Sequence, residues 1–117
     1  MTTKDQVESF VKDFKEKIKI WDVLFRDDRG KNSQALADLE LRPIDRKEIL
    51  NNLCADDFCE GPLKETLYGG SDMWIFGIEV KKRELYIKIS MGFPNTSVIC
   101  ISFHFAEQPL HYLFKEK

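Results

Sequence analysis

Three runs rich in β-branched and aromatic residues, 73–80, 84–91 and 97–105, are separated only by Lys81-Lys82-Arg83 and by Gly92-Phe93-Pro94-Asn95-Thr96. Turns this short join antiparallel neighbours, so the C-terminal part of the chain is expected to form a three-stranded meander. A meander that is greasy on one side must be covered, and the N-terminal part supplies the cover. Apolar residues recur at Val7, Phe10, Val11, Phe14, Ile18 and Trp21, which predicts a helix over 5–19 with one buried stripe. Helices first and sheet afterwards is an α+β order, with the helices on one face of an antiparallel sheet.

Between these two units the signals are shorter. Residues 20–25 read as a brief strand and 26–32 as a turn. Ser33 can cap a helix through Leu39, and a further helix runs from Pro43 to about Leu53, since proline is tolerated in a first helical turn. Asp45 could instead cap that helix, with Glu48 three residues on and Ile44 stapled to Ile49. Residues 61–72, with Pro62, Gly69 and Gly70, read as a loop.

The chain has 117 residues, which fits one domain, and its 43% hydrophobic and 32% charged content is that of a globular protein. No apolar run reaches the roughly 20 residues of a membrane span, and MTTKDQVESF lacks the apolar stretch of a secretion signal, so a cytoplasmic location without membrane attachment is expected. Cys54, Cys59 and Cys100 cannot all pair internally and lack metal-site spacing, so reduced thiols are expected. The formal charge of −2 argues against a broadly basic, nucleic-acid-coating surface. Residues 73–117 hold six basic and four acidic residues, a net of +2, which leaves −4 on residues 1–72. An RNA site, if the chain has one, is expected in the second part.

Alternation puts Leu85, Ile87, Ile89 and Met91 on one side of the middle strand and Tyr86, Lys88 and Ser90 on the other. In the last strand Ile99, Ile101, Phe103 and Phe105 are expected opposite Cys100, Ser102 and His104. If the greasy sides share a core, even positions pair with even positions, and Tyr86 lies opposite either Ser102 or His104. A phenol, an ammonium and an imidazole on one sheet surface can cleave a phosphodiester without metal or cofactor. One group takes the ribose 2′-hydroxyl proton, a cation holds the developing charge, and another group protonates the leaving 5′ oxygen. Alternating polar residues are equally the ordinary dress of a half-exposed sheet. His111 reads as a surface or packing residue, and no HExxH, GxxxxGK[ST] or GxSxG pattern is present.

The segments SQALADLEL (33–41), ILNNL (49–53), DF (57–58), MW (73–74), LYIKI (85–89) and VICISF (98–103) resemble the motility quorum-sensing regulator (MqsR) toxins. SFHFAEQPLHY (102–112) is similar to a branch of that family with a C-terminal extension. The resemblance implies a RelE-like α+β fold and a metal-independent ribonuclease that cuts single-stranded messenger RNA and is opposed by a cognate antitoxin protein. It assigns catalysis to Tyr86 and Lys88, with His104 standing where the family has a lysine; Glu60 and Ile75 stand where it has a lysine and a glutamine. Trp74 reads either as core or as a platform for an unpaired base, because a two-residue and a three-residue turn at 81–83 send it to opposite faces. Lys81, Lys82 and Arg83 are either solvated or in contact with phosphate, and Glu107 and Tyr112 of the extension are further candidates for the substrate site. A noncatalytic protein-interaction module on the same scaffold is the competing expectation, favoured by the acidic pI of about 5.7.

Overall fold

A computed structural model describes residues 2–26, 31–64 and 71–115. Helix α1 (Lys4–Trp21) starts where the Thr3 hydroxyl accepts a hydrogen bond from the Gln6 amide and the Gln6 side-chain oxygen accepts one from the Thr3 amide. Its expected stripe of Val7, Phe10, Val11, Phe14 and Ile18 is buried, whereas Trp21 ends the helix exposed. Strand β1 (Val23–Phe25) follows, then α2 (Lys31–Leu39), α3 (Pro43–Asn52), a 3-10 turn (Ala55–Asp57), and strands β2 (Phe58–Leu63), β3 (Met73–Val80), β4 (Arg83–Ser90) and β5 (Val98–Phe105).

The sheet has five strands in the order β1-β5-β4-β3-β2. The expected meander is β3-β4-β5, all antiparallel. The sheet is nevertheless mixed, because β1 runs parallel to β5 along the far edge. Strand β2 is a second addition: it occupies residues read as loop, pairs antiparallel with β3, and carries two register irregularities. Proline has no amide to donate, so an outermost strand is where Pro62 can be accommodated.

Other local expectations shift by a residue or two. Helix α2 already runs from Lys31, which places Ser33 inside it rather than at its cap. Pro43 opens α3, and the Asp45 carboxylate accepts the Arg42 amide at 2.8 Å from within the first turn. Ile44 is 52% exposed, so no staple forms there. Residues 27–30 of the expected turn and 65–70 of the expected loop lie outside the described residues.

The core lies between the helices and one face of the sheet, where Phe14, Phe58, Phe76, Phe103, Leu85, Ile87 and Ile89 are fully buried. Each such side chain contributes roughly 1.5–3 kcal/mol by leaving water. Two features decide what the opposite face carries. The β3–β4 turn contains two residues, Lys81 and Lys82, both left-handed (φ 52° and 66°), so Arg83 belongs to β4 and pairs with Val80. In β5 the register slips by one residue between the Lys88–Ser102 and Ile89–Cys100 pairs. This bulge at Ile101 reverses the parity of the strand. Val98 and Cys100 enter the core together with Phe103, while Ile99 pairs with Ser90 on the other side; the expectation that Ile99 and Ile101 share the face of Phe103 is therefore corrected. The Cys100 thiol is buried, and all three cysteines are thiols.

Candidate functional site on the open sheet face

Directly opposed residues share a face, so the register assembles the site row by row. One row reads Gly77, Tyr86, His104 and the next reads Ile75, Lys88, Ser102 across β3, β4 and β5. Of the two sequence alternatives, Tyr86 thus lies opposite His104. Their rings stack with centroids 5.2 Å apart and planes inclined by 16°, and the Lys88 ammonium sits 5.7 Å from the Tyr86 ring centre. Tyr86, Lys88, Ser102 and His104 form the floor of a cavity of about 410 Å³ whose wall is Glu107, Gln108, Pro109 and Leu110.

That wall is a strap formed by the C-terminal segment. It leaves β5 where the Ala106 amide donates to the Glu84 carbonyl (2.9 Å), and it reaches β2 where the Leu113 amide donates to the Phe58 carbonyl (3.3 Å) and Phe114 stacks on Phe58. Between these ends the Leu110 amide donates to one oxygen of Glu84 (3.0 Å) and the Tyr112 hydroxyl to the other (2.7 Å). The crossing passes over Gly77. A Cβ added there would stand 2.4 Å from Leu110 Cδ1 and 2.7 Å from the Tyr112 oxygen, so a side chain at Gly77 would lift the strap.

The electrostatics are specific to this face. Burial pushes the Tyr86 phenol above its ordinary value, and Glu60 and Cys59 reinforce the shift. The Cys59 thiol is pushed up to about 12 by burial, then by Glu84, Asp57 and Glu60, with Lys115 working against them. Tyr112 is raised by burial and by its bond to Glu84. These groups stay protonated at neutral pH. His104 Nδ1 lies 2.9 Å from the Phe105 carbonyl; a carbonyl only accepts, so Nδ1 carries hydrogen and Nε2 is the nitrogen that can take up a proton.

The structure thus brings Tyr86, Lys88, His104 and Glu107 to one cavity. Tyr112 lies beside it, with its hydroxyl committed to Glu84. Trp74 does not join them. It pairs with Ile89, stacks on Phe10 at 4.4 Å and touches Phe58, so it faces the helices. Lys81 is drawn the same way, its ammonium bonded to the Leu39 carbonyl at the end of α2 (2.5 Å). Arg83 lies over the Phe105 ring at 3.3 Å, on the register positions of Leu85 rather than Tyr86, and Lys82 is exposed at the turn. Glu60, opposite Ile75, stands beside the site, and His111 is exposed. Sequence reasoning missed Gly77, Glu84 and Leu110; the one available signal was a glycine inside the apolar strand MWIFGIEV, which marks a close approach of other chain. Among the described residues no cluster of side chains is suited to a metal ion, and no helix is long and apolar enough to cross a membrane.

No family model, no curated protein and no solved structure matches this chain. What the fold and the site define is an α+β protein whose sheet carries a strapped Tyr-Lys-His pocket on its uncovered face.

Proposed function

We propose that the protein is a metal-independent endoribonuclease acting on single-stranded messenger RNA, a RelE-like toxin of the MqsR kind held in check by a cytoplasmic antitoxin. The observation that carries the reading is the stacked Tyr86–His104 pair beside Lys88 at the floor of one cavity. His104 Nε2 takes the proton from the ribose 2′-hydroxyl, whose oxygen attacks phosphorus. Lys88 holds the charge that grows on the phosphate oxygens. Tyr86, kept as a phenol by its surroundings, gives its proton to the leaving 5′ oxygen, so that a cyclic phosphate and a 5′-hydroxyl end result. The replacement of a family lysine by His104 preserves proton transfer, since imidazole exchanges protons near neutral pH.

One observation favours a second reading, a protein-interaction module without catalysis. Lys88 is the one lysine or arginine among the residues lining the cavity, and carboxylates stand near it: Glu107 in the wall and Glu60 acting on Tyr86. Cleavage of a mixed-sequence single-stranded RNA in the presence of a chelator separates the two. The nuclease reading expects cleavage by the native chain and a loss of about 10²–10⁴-fold in rate for both His104→Ala and Tyr86→Phe. Undiminished cleavage by folded His104→Ala sinks the assignment, and native protein that leaves RNA whole and cells growing sinks the function.

A further inference from the structure

We infer that Glu84 is a positioning residue of the Tyr86 pocket, latching the strap of residues 106–113 across Gly77 so that an unpaired nucleotide is pressed against Tyr86 and His104. The inference rests on the nuclease reading of that pocket and adds to it the element that decides how substrate is held.

The argument begins with two carboxylates. Glu84 lies directly opposite Glu79 in the β3–β4 ladder, an arrangement of like charges that disfavours the pairing. Both Glu84 oxygens are nevertheless engaged, one by the Leu110 amide and one by the Tyr112 hydroxyl, and charge-assisted bonds of this kind are the strong ones. The carboxylate therefore has a local cost and a distant function. What it grips is the wall of the cavity: Leu110 itself lines the pocket, and Glu107, Gln108 and Pro109 lie between it and the end of β5. Gly77 completes the device, since only a residue without a Cβ lets Leu110 and Tyr112 settle on the sheet.

None of this touches the reacting groups. Tyr86, Lys88 and His104 are placed by the β3-β4-β5 ladder, which the latch does not build. Releasing the strap consequently removes one wall while the floor remains. The expected signature is weaker substrate binding with little change in the chemical step, because interactions common to the ground and transition states appear in KM. A wall fixed over a sheet also sets what fits beneath it, and an extended single strand fits where a duplex does not.

The test compares native protein with Glu84→Ala and Glu84→Gln. Glutamine keeps a carbonyl oxygen to accept the Leu110 amide. Hydrogen exchange of the Leu110 amide reports the latch, and single-stranded RNA cleavage reports its consequence. The expected result is a protected Leu110 amide in native protein, lost in Glu84→Ala and largely restored in Glu84→Gln, with KM raised about ten-fold in Glu84→Ala and kcat within about three-fold. Unchanged protection at Leu110 in folded Glu84→Ala overturns the latch. Loss of protection with unchanged KM overturns the positioning role. If native protein cuts no RNA, the nuclease reading fails separately, and the same comparison is made as the Kd of a dinucleoside monophosphate followed at the His104 ring; equal Kd values for the native and alanine proteins then overturn the inference.

Discussion

On the face under α1, β3 and β4 bring Phe76, Leu85, Ile87 and Ile89 into one core with Phe10, Phe14 and Ile18; on the other face the same two strands offer Gly77, Tyr86 and Lys88 to a strap. The first face is closed by apolar volume, through ring contacts such as Phe10 on Trp74 and Phe14 on Phe76. The second is closed by two hydrogen bonds to one carboxylate and by the absence of a side chain at Gly77. The difference teaches that one sheet can carry a packed side and a pocketed side at once. The covered side anchors the register, and that register places Tyr86, Lys88 and His104 on the open side without burying them in the core.

Four measurements break or sharpen this contrast. The largest effect belongs to the covered face: Phe14→Ala empties a fully buried site and is expected to cost about 3–5 kcal/mol in a denaturant titration. A loss under about 1 kcal/mol would mean that the helix layer is not what holds the sheet. Next comes Gly77→Ala, which pushes on Leu110 and Tyr112 and is expected to cost about 1–3 kcal/mol, with the Leu110 amide exposed to exchange. A neutral Gly77→Ala with Leu110 still protected would show that the strap yields without opening.

The third measurement uses pH. Cys59 and Tyr86 both have folded-state values raised above their unfolded ones, so the unfolded chain loses its protons first as pH rises. Stability is therefore full below about pH 9 and falls as pH climbs towards 12, the window set by the Cys59 thiol. The effect is of the order of 1 kcal/mol once solvent screening at a partly exposed group is allowed for. Thermal melts of native protein and Cys59→Ala between pH 8 and 11 should diverge, the variant showing the shallower decline; parallel curves would remove the thiol from the account. The smallest effect is at exposed His111, where alanine should change stability by less than about 0.5 kcal/mol and leave cleavage intact. A marked loss of cleavage there would bring a second imidazole into the chemistry.

How far the sequence disclosed this arrangement differs between the same two faces. The α1 stripe was legible because five residues recur at helical spacing, and β4 was legible because its alternation is unbroken from Leu85 to Ile89. Strand β5 was harder for a physical reason: residues 98–101 are all apolar, so nothing in them reveals the bulge at Ile101 that exchanges Cys100 for Ile99 in the core. Strand β2 was hidden because Gly61 and Pro62 interrupt any period, and its pairing to β3 is irregular in two places. On the open face, Tyr86, Lys88 and His104 could be placed together by parity alone. The strap could not, since its seat depends on a carboxylate and a glycine in strands far from it in sequence.

The outer edge of the sheet carries one more consequence. Strand β1 is three residues long, and with the Asp22 carbonyl and the Arg26 amide turned towards β5, the amide of Val23 points outward to where another chain could add a strand. The side chain of Asp22 bonds that amide at 2.8 Å. The bond from Lys47 is the main reason that the Asp22 carboxyl is held below its usual range, so this plug stays charged and in place until the medium becomes distinctly acidic. An outward amide satisfied within its own chain is one fewer donor for an incoming strand, which is one way a sheet edge is blunted.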